Sequence, residues 1–204
     1  MLNDDTHLFE DALSKLVKSS SEAVIKDSKK AIVIGSTTDE SRNKTTYGGV
    51  IKRKNYIGFR FDLVDPKSSE LRQCDSFNAN CVLVPMEVVR AIGILAEEFS
   101  HGLGDYDYGL RANKAGFNCY VVPGHIGLCA RHTSVMGAFD DSNSLEDRKK
   151  ILKSSKGLPP NEWLLFLKKH ASIWIWLLMW LQLKIRVYFP RAWQILRRIR
   201  GRER

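Results

Sequence analysis

The sequence predicts an α/β fold, because short buried strands alternate along the chain with helices. Three apolar runs, at residues 31–35, 80–84 and 118–122, end at or just before a glycine or a proline, as buried strands do. Residues 86–95 and the segment before Gly116 predict helices. With 204 residues, of which 44% are hydrophobic, the chain can bury one domain-sized core with at most an appendage.

The first predicted element is a helix that runs from Thr6 or Asp5, either of which is a suitable N-cap, to about Ser19. After the strand at residues 31–35, the polar residues 37–46 predict a loop. Two further strands are predicted at residues 47–54 and 56–64, with a hairpin around residues 54–55 as one way to join them. Pro85 then stands where the start of a helix best tolerates proline.

The helix that ends at Gly116 has two carboxylates, Asp105 and Asp107, in its first turn. Free backbone N–H groups stabilise acids at a helix start. Asp105 is the closer of the two to the preceding Gly-Leu-Gly loop, so it can point into a cleft and accept a proton from a substrate hydroxyl. The alternative is that both acids only cap the helix, and these residues by themselves favour that alternative.

The positive charge is concentrated at one end of the chain. The net charge is +9, yet residues 161–204 hold ten Lys and Arg against two acids, whereas residues 1–160 hold twenty-two against twenty-one. Such a basic end suits anionic lipid, and less well nucleic acid, because the rest of the chain has no basic patch interleaved with aromatic residues. We therefore expect no nucleic-acid partner.

The cysteines and the first residues predict a cytoplasmic protein. No C-x-x-C pair is present, so free core thiols in a reducing compartment are expected at Cys74, Cys81, Cys119 and Cys129. The first residues carry no export signal. The predicted location is the cytoplasm, with peripheral attachment to the cytoplasmic face of the membrane.

The C-terminal part predicts a helix that lies on a membrane. Residues 137–160 are polar and predict a linker, and residues 171–183 are apolar on all sides with basic residues before and after them. This apolar stretch is shorter than the roughly 20 residues that span a bilayer. A helix in the membrane interface, with tryptophans at headgroup depth and residues 191–204 on anionic lipid, fits the length and the flanks. The alternative is a helix that packs on the body or on a partner subunit.

Several motifs in order along the chain carry a resemblance to a known family. They are Leu-Asn-Asp-Asp-Thr at residues 2–6, Tyr-Gly-Gly at 47–49, Asn-Ala-Asn-Cys-Val-Leu-Val-Pro at 78–85, and Gly-Asp-Tyr-Asp-Tyr-Gly-Leu-Arg at 104–111 with Gly116 and Pro-Gly-His-Ile-Gly at 123–127. In this order and at this spacing, residues 2 to about 132 resemble the second half of a family 2 glycosyltransferase of the GT-A fold. Residues 156–163 also resemble tails of bacterial members.

The resemblance implies a divalent cation, Mg²⁺ or Mn²⁺, held by a D-x-D turn and bridging the pyrophosphate of a nucleotide-sugar donor. The sequence Asn3-Asp4-Asp5 occupies that turn, so Asp5 matches the metal-binding acid and Asn3 stands where the first acid would be. His132 matches in position a histidine that completes the metal shell in some relatives. A plain N-cap role for Asp5 is compatible with metal binding. Asn3 and Asp4 are then expected to contact the donor.

The resemblance also implies a catalytic base. Asp105 matches an aspartate that deprotonates the acceptor hydroxyl, which inverts the anomeric centre, and Gly104 replaces the Glu that often precedes it. Asp107 and Arg111, one turn apart, are expected to pair and fix the helix, although Asp107 is also a candidate for ligand binding. Asn80 and His101 are expected to line the donor and acceptor sides of the cleft.

The predicted function is therefore inverting, metal-dependent sugar transfer to a glycan or lipid-linked acceptor in cell-envelope polysaccharide synthesis. The predicted domains are an incomplete GT-A domain at residues 1–136, a linker at 137–160 and a basic helical tail at 161–204. The family's first half, which binds the nucleotide base, is not in this sequence, so we expect a truncated chain with weak or no activity alone. The alternative is a catalytically inactive, membrane-associated binding module.

Overall fold

The computed structural model describes residues 1–27, 30–53, 58–67, 69–100, 102–131, 136–154 and 158–195, and within them it has the predicted α/β architecture. The chain divides into two compact units. The first comprises Met1–Lys54, Arg60–Glu97 and Gly104–Arg131, and the second comprises Asn55–Phe59, Glu98–Leu103 and His132–Arg204.

The first unit holds a mixed sheet and a small antiparallel sheet. Its strands, in chain order, are β1 (His7–Leu8), β2 (Ile32–Thr38), β3 (Thr45–Tyr47), β4 (Gly49–Lys52), β5 (Phe61–Leu63), β6 (Arg72–Cys74), β7 (Ser76–Phe77), β8 (Val82–Leu83) and β9 (Cys119–Leu128). The mixed sheet has the order β1-β9-β2-β3, with β6 also paired to β9 and β8 to β2. In this sheet β2 and β9 are parallel, and the other strand pairs are antiparallel. The small sheet has the order β5-β4-β7.

Helices cover both faces of the mixed sheet. The helices of the first unit are α1 (Ala12–Asp27), α2 (Met86–Ile92) and α3 (Gly104–Lys114). One buried cluster contains Ile32 and Ile34 of β2 with Tyr108 of α3, and another contains Val33 of β2 with Leu16 of α1. Because successive residues of a strand point to opposite faces, α1 and α3 lie on opposite sides of the sheet.

The three strands predicted from apolar runs are confirmed, and so are the helices α2 and α3. Strand β9 is longer than predicted, since it continues through Pro123 to Leu128, alongside β2 with register shifts in the pairing. The predicted pair of strands on either side of residues 54–57 is confirmed as β4 and β5, in the register Val50 to Leu63. The hairpin predicted around residues 54–55 lies outside the described residues.

The predicted loop at residues 37–46 is shorter than expected, because β2 extends to Thr38. The Thr37 and Thr46 hydroxyls form a buried hydrogen bond of 2.9 Å, and the Thr38 hydroxyl donates to the Lys44 carbonyl. Hydroxyl groups that find partners within the sheet can be buried at little cost. Polar composition alone therefore gave the wrong strand end.

The prediction for the first helix is wrong at both ends. The helix begins at Ala12 and ends at Asp27, so neither Asp5 nor Thr6 is its N-cap. The chain before it forms β1, in which His7 pairs with Leu128 of β9. Backbone hydrogen bonding to a distant strand therefore takes precedence over the helical spacing of the residues that precede Ala12.

The four cysteines lie within the described residues, and each is buried and outside any disulfide, as predicted. Cys74 of β6 lies opposite Cys119 of β9 in the sheet. Burial raises the pKa of the Cys119 thiol to about 12 and also raises that of Cys74. Both thiols are therefore protonated, apolar members of the core.

The regular secondary structure described in the second unit is helical. It contains a 3₁₀ turn (Met136–Phe139) and the helices α4 (Leu145–Lys153), α5 (Pro160–His170) and α6 (Ile173–Tyr188). Ala138, Leu152, Leu183 and Val187 form a buried cluster of its own. The segment predicted as a polar linker thus includes α4, whose N-cap Ser144 accepts a hydrogen bond from the Asp147 N–H. Among the described residues, no helix combines the length and apolar character required to cross a bilayer.

Helix α3 packs very closely on β7 at Gly109. A Cβ added at Gly109 would lie 2.8 Å from the Ser76 Cα and would also overlap the Ser76 hydroxyl. The Ser76 hydroxyl itself donates to the carbonyl of Tyr106 at 2.8 Å. The glycine therefore lets the helix that carries Asp105 approach the sheet.

We predict that Gly109→Ala lowers the free energy of unfolding by about 1–3 kcal/mol, because the added methyl group displaces α3 from β7. Urea denaturation measures this. Gly116→Ala is the control: nothing lies within 4 Å of its added Cβ, and its positive φ of 84° gives an expected cost of about 1 kcal/mol. An unchanged stability for Gly109→Ala would contradict the close packing.

Candidate functional site

The acidic turn of Asn3, Asp4 and Asp5 lies beside the segment that leads into β8. The Asn3 backbone N–H donates to the Asn80 carbonyl at 3.1 Å. The Asn3 side-chain amide donates to Asp5 Oδ1 at 2.8 Å, and Asp4 is exposed. Asn3, which stands where the resemblance expects an acid, therefore orients the carboxylate of Asp5.

The buried side chain of Asn80 joins this turn to the end of β9. Its amide nitrogen lies 3.4 Å from the Thr6 hydroxyl and 3.3 Å from the Cys129 sulfur, and the Cys129 thiol lies 3.5 Å from Asp5 Oδ1. Burial, followed by the negative charge of Asp5, raises the pKa of Cys129. Asn80 is only 6% exposed, so these contacts favour support of the Asp5 turn over the predicted contact with donor or acceptor.

Asp105 lies in the first turn of α3, as predicted. Its Oδ2 accepts a hydrogen bond from the Ala79 N–H at 3.1 Å, and its Oδ1 accepts one from the Tyr106 N–H at 2.8 Å. Burial raises the pKa of Asp105 to about 6, although these two donors act in the opposite direction. The carboxylate is therefore ionised at neutral pH and is a stronger base than an exposed aspartate.

The two acidic elements meet at residues 79 and 80. The Ala79 N–H binds the carboxylate of Asp105, and the next residue, Asn80, binds the Asp5 turn through its carbonyl and its amide. The Asp5 turn and Asp105 are a hundred residues apart in sequence, yet each is hydrogen-bonded to one of two adjacent residues in the connection before β8. Within the first unit, the turn that carries Asp5 and the helix start that carries Asp105 thus contact the same connection.

Asp107 and Arg111 form the predicted ion pair. The Arg111 Nε donates to Asp107 Oδ2 at 2.7 Å, and the guanidinium also donates to the carbonyls of Ile92 and Ile94. The Asp107 side chain has no exposed surface, whereas that of Arg111 is 24% exposed. The burial favours the structural role of Asp107 over ligand binding, and the pair ties the end of α2 to α3.

Two further residues that the sequence analysis did not single out lie beside Asp105. The Asn78 amide donates to the Tyr106 hydroxyl at 3.2 Å, and the Tyr106 ring packs on Phe61 at a centroid distance of 5.0 Å. Burial and the neighbouring charge of Asp105 raise the pKa of Tyr106. The sequence signal that could have identified Tyr106 was its position between two aspartates at a helix start.

An open cleft of about 750 Å³ elsewhere in the first unit contains none of the predicted site residues. In this cleft Lys15 pairs with Asp11 at 2.8 Å, and the Arg42 guanidinium lies over the ring of Phe9. The lining residues are Leu8, Phe9, Glu10, Asp11, Lys15, Arg42 and His125. Acids and bases balance in this cleft, so we assign the candidate site to the Asp5 and Asp105 region instead.

Two predicted site residues, His101 and His132, lie outside the described residues. Across the residues that are described, no group of three or more His, Cys, Asp or Glu side chains could hold a metal ion. A magnesium ion often takes only one or two protein carboxylates and completes its shell with phosphate oxygens and water. Asp5 fits that pattern as a single oxygen donor held in place by Asn3.

No protein-family model, no curated protein and no solved structure matches the chain. The mixed α/β fold is established by the structure. Support for an activity therefore comes from the geometry of the Asp5 and Asp105 region.

We predict that Arg111→Met lowers the free energy of unfolding by about 3–5 kcal/mol, because it leaves the buried Asp107 carboxylate without its guanidinium. Urea denaturation provides the measurement. The matched control is Arg53→Met, which breaks the more exposed pair with Asp62 and should cost about 1 kcal/mol or less. Equal effects of the two changes would contradict the importance of burial at Asp107.

We also predict that the effect of Asp105 on the free energy of unfolding depends on pH. The pKa in the folded chain, about 6, is above the ordinary value of 3.8, so between these pH values the folded state binds more protons than the unfolded state. The contribution of Asp105 to stability therefore falls as the pH rises through this window, by about 1–3 kcal/mol.

This pH dependence can be measured as the difference in unfolding free energy between the unmodified chain and Asp105→Asn. Relative to Asp105→Asn, the unmodified chain should lose stability between about pH 4 and pH 7. Glu87→Gln, which alters an exposed carboxylate of α2, is the control for the loss of a surface carboxyl group. A flat difference for Asp105→Asn would show that its pKa is not raised.

Proposed function

We propose that the chain catalyses inverting, metal-dependent transfer of a sugar from a nucleotide-sugar donor to a hydroxyl of a glycan or lipid-linked acceptor. The observation that carries the proposal is that Ala79 binds Asp105, while the next residue, Asn80, binds Asn3 and Thr6 on either side of Asp5. One carboxylate in this pair can bind a cation and the other can accept a proton. The mixed sheet between helices is compatible with a GT-A domain, which we include in the proposal.

The proposed role of Asp105 follows from its surroundings. Both carboxylate oxygens accept backbone hydrogen bonds, and each oxygen has a further lone pair for the proton of an acceptor hydroxyl. As the proton moves to Asp105, the acceptor oxygen bonds to the anomeric carbon, and the bond from that carbon to the nucleoside diphosphate breaks. Attack from the face opposite the leaving group inverts the configuration. The raised pKa makes proton acceptance at neutral pH more favourable.

The proposed role of Asp5 is to hold the cation. Asn3 donates to Asp5 Oδ1 and thereby fixes the orientation of the carboxylate before any ligand arrives. Mg²⁺ or Mn²⁺ bound there would neutralise charge on the departing diphosphate. The buried Asn80 and Cys129 support this turn from within the protein.

We predict that the chain binds nucleoside diphosphates only when a divalent cation such as Mn²⁺ is present, and that it slowly releases them from nucleotide sugars at high protein concentration. Asp5→Asn should weaken the Mn²⁺-dependent binding by about tenfold or more, since it removes a charged metal ligand. Asp105→Asn should leave binding unchanged and slow the release by about 100-fold or more. Calorimetry across a panel of nucleotides and single-turnover assays measure the two effects.

Glu87→Gln is the control for a lost surface charge and should behave as the unmodified chain does. In the unmodified chain, the release rate should rise with pH through about pH 6, in line with the pKa of Asp105. A chain with no Mn²⁺-dependent affinity for any nucleoside diphosphate would refute the transferase proposal. It would favour the alternative of a binding module without catalytic activity.

A further inference from the structure

Helix α6 of the second unit carries an exposed apolar stripe. Most of its members are three, four or seven residues apart, so they share one side of the helix. Trp174 is 77% exposed and Leu181 is 50% exposed. The full stripe consists of Ile173, Trp174, Leu177, Trp180, Leu181 and Tyr188.

The opposite side of α6 fixes the helix within the second unit. Leu183 and Val187 are buried in the cluster that includes Leu152 of α4. The Trp176 indole N–H donates to the Leu164 carbonyl of α5 at 2.9 Å. Because these contacts hold the buried face inward, the stripe faces outward in the folded chain.

A cation lies within the stripe. The Lys184 ammonium lies 5.6 Å from the ring centroid of Trp180 and 5.6 Å from that of Tyr188. Tryptophan and tyrosine prefer the headgroup depth of a bilayer, and a lysine at that depth can reach lipid phosphates with its ammonium group. The stripe therefore combines apolar anchors with a positive charge, as expected for a surface that contacts lipid.

The length and charge of this region indicate which kind of surface the α6 stripe contacts. A helix of 16 residues is about 24 Å long, which is shorter than the roughly 30 Å hydrocarbon core of a bilayer. Residues 161–204 hold ten Lys and Arg against two acids, so an anionic surface is attracted and a second copy of the same segment is repelled. We propose that the α6 stripe docks in the plane of an anionic lipid bilayer. The proposal does not depend on sugar transfer.

Vesicle co-sedimentation of the full chain tests this surface. The chain should bind vesicles in which about a third of the phosphatidylcholine is replaced by phosphatidylglycerol, and bind pure phosphatidylcholine at least about tenfold less well. Trp174→Glu should weaken binding to the anionic vesicles by about tenfold or more, because it removes an anchor and adds a repelled charge. Lys184→Gln should weaken the same binding by about fivefold and leave that to phosphatidylcholine unchanged.

The matched control is Ile25→Glu, which places the same charge at a residue of α1 that is 84% exposed in the first unit. It should bind both kinds of vesicle as the unmodified chain does, and the urea unfolding curves of all variants should coincide. Failure to bind anionic vesicles, or equal binding by Trp174→Glu, would overturn the proposal. So would a self-associated chain in sedimentation velocity that Trp174→Glu converts to monomer, because the stripe would then contact a second copy.

Discussion

The backbone of residues 79 and 80 is the constraint on which the candidate site depends. The Ala79 N–H donates to the carboxylate of Asp105. The Asn80 carbonyl accepts a hydrogen bond from the N–H of Asn3, which is two residues before Asp5. These groups immediately precede β8, which pairs with β2 in the middle of the mixed sheet. Backbone groups next to the mixed sheet thus bind both the Asp105 carboxylate and the turn that carries Asp5.

Two carboxylates in the first turn of α3 have different environments and therefore different chemistry. Asp107 is fully buried and is compensated by Arg111, which makes the pair a structural link between α2 and α3. Among the described residues, no guanidinium pairs with Asp105 in this way: burial raises its pKa to about 6, although its backbone N–H donors act in the opposite direction. A difference of this kind between neighbouring acids is how one scaffold separates a stabilising group from one that exchanges protons.

Local spacing was enough to predict β2, β4, β5, β8 and β9, the start of α3 and the ion pair of Asp107 with Arg111, because each depends on residues close in sequence. The start of α1 could not be predicted, since His7 pairs with Leu128, on a strand more than a hundred residues away. The hydrogen bond from the Ala79 N–H to Asp105 could not be predicted either, because every residue except proline has a backbone N–H. Helix α4 lies in a segment whose polarity predicted a linker, and a buried Leu152 stabilises it.

The exposed stripe of α6 differs from the rest of the second unit in that folding does not require it. The buried side of the helix, with Leu183 and Val187, supplies the contacts to α4. Polar residues at the positions of Trp174 and Leu181 would leave those contacts intact and would remove apolar surface from water. An exposed apolar surface next to a strongly basic segment fits the docking on anionic lipid that we propose. A bilayer rich in acidic lipid provides an apolar and an anionic environment at the same depth.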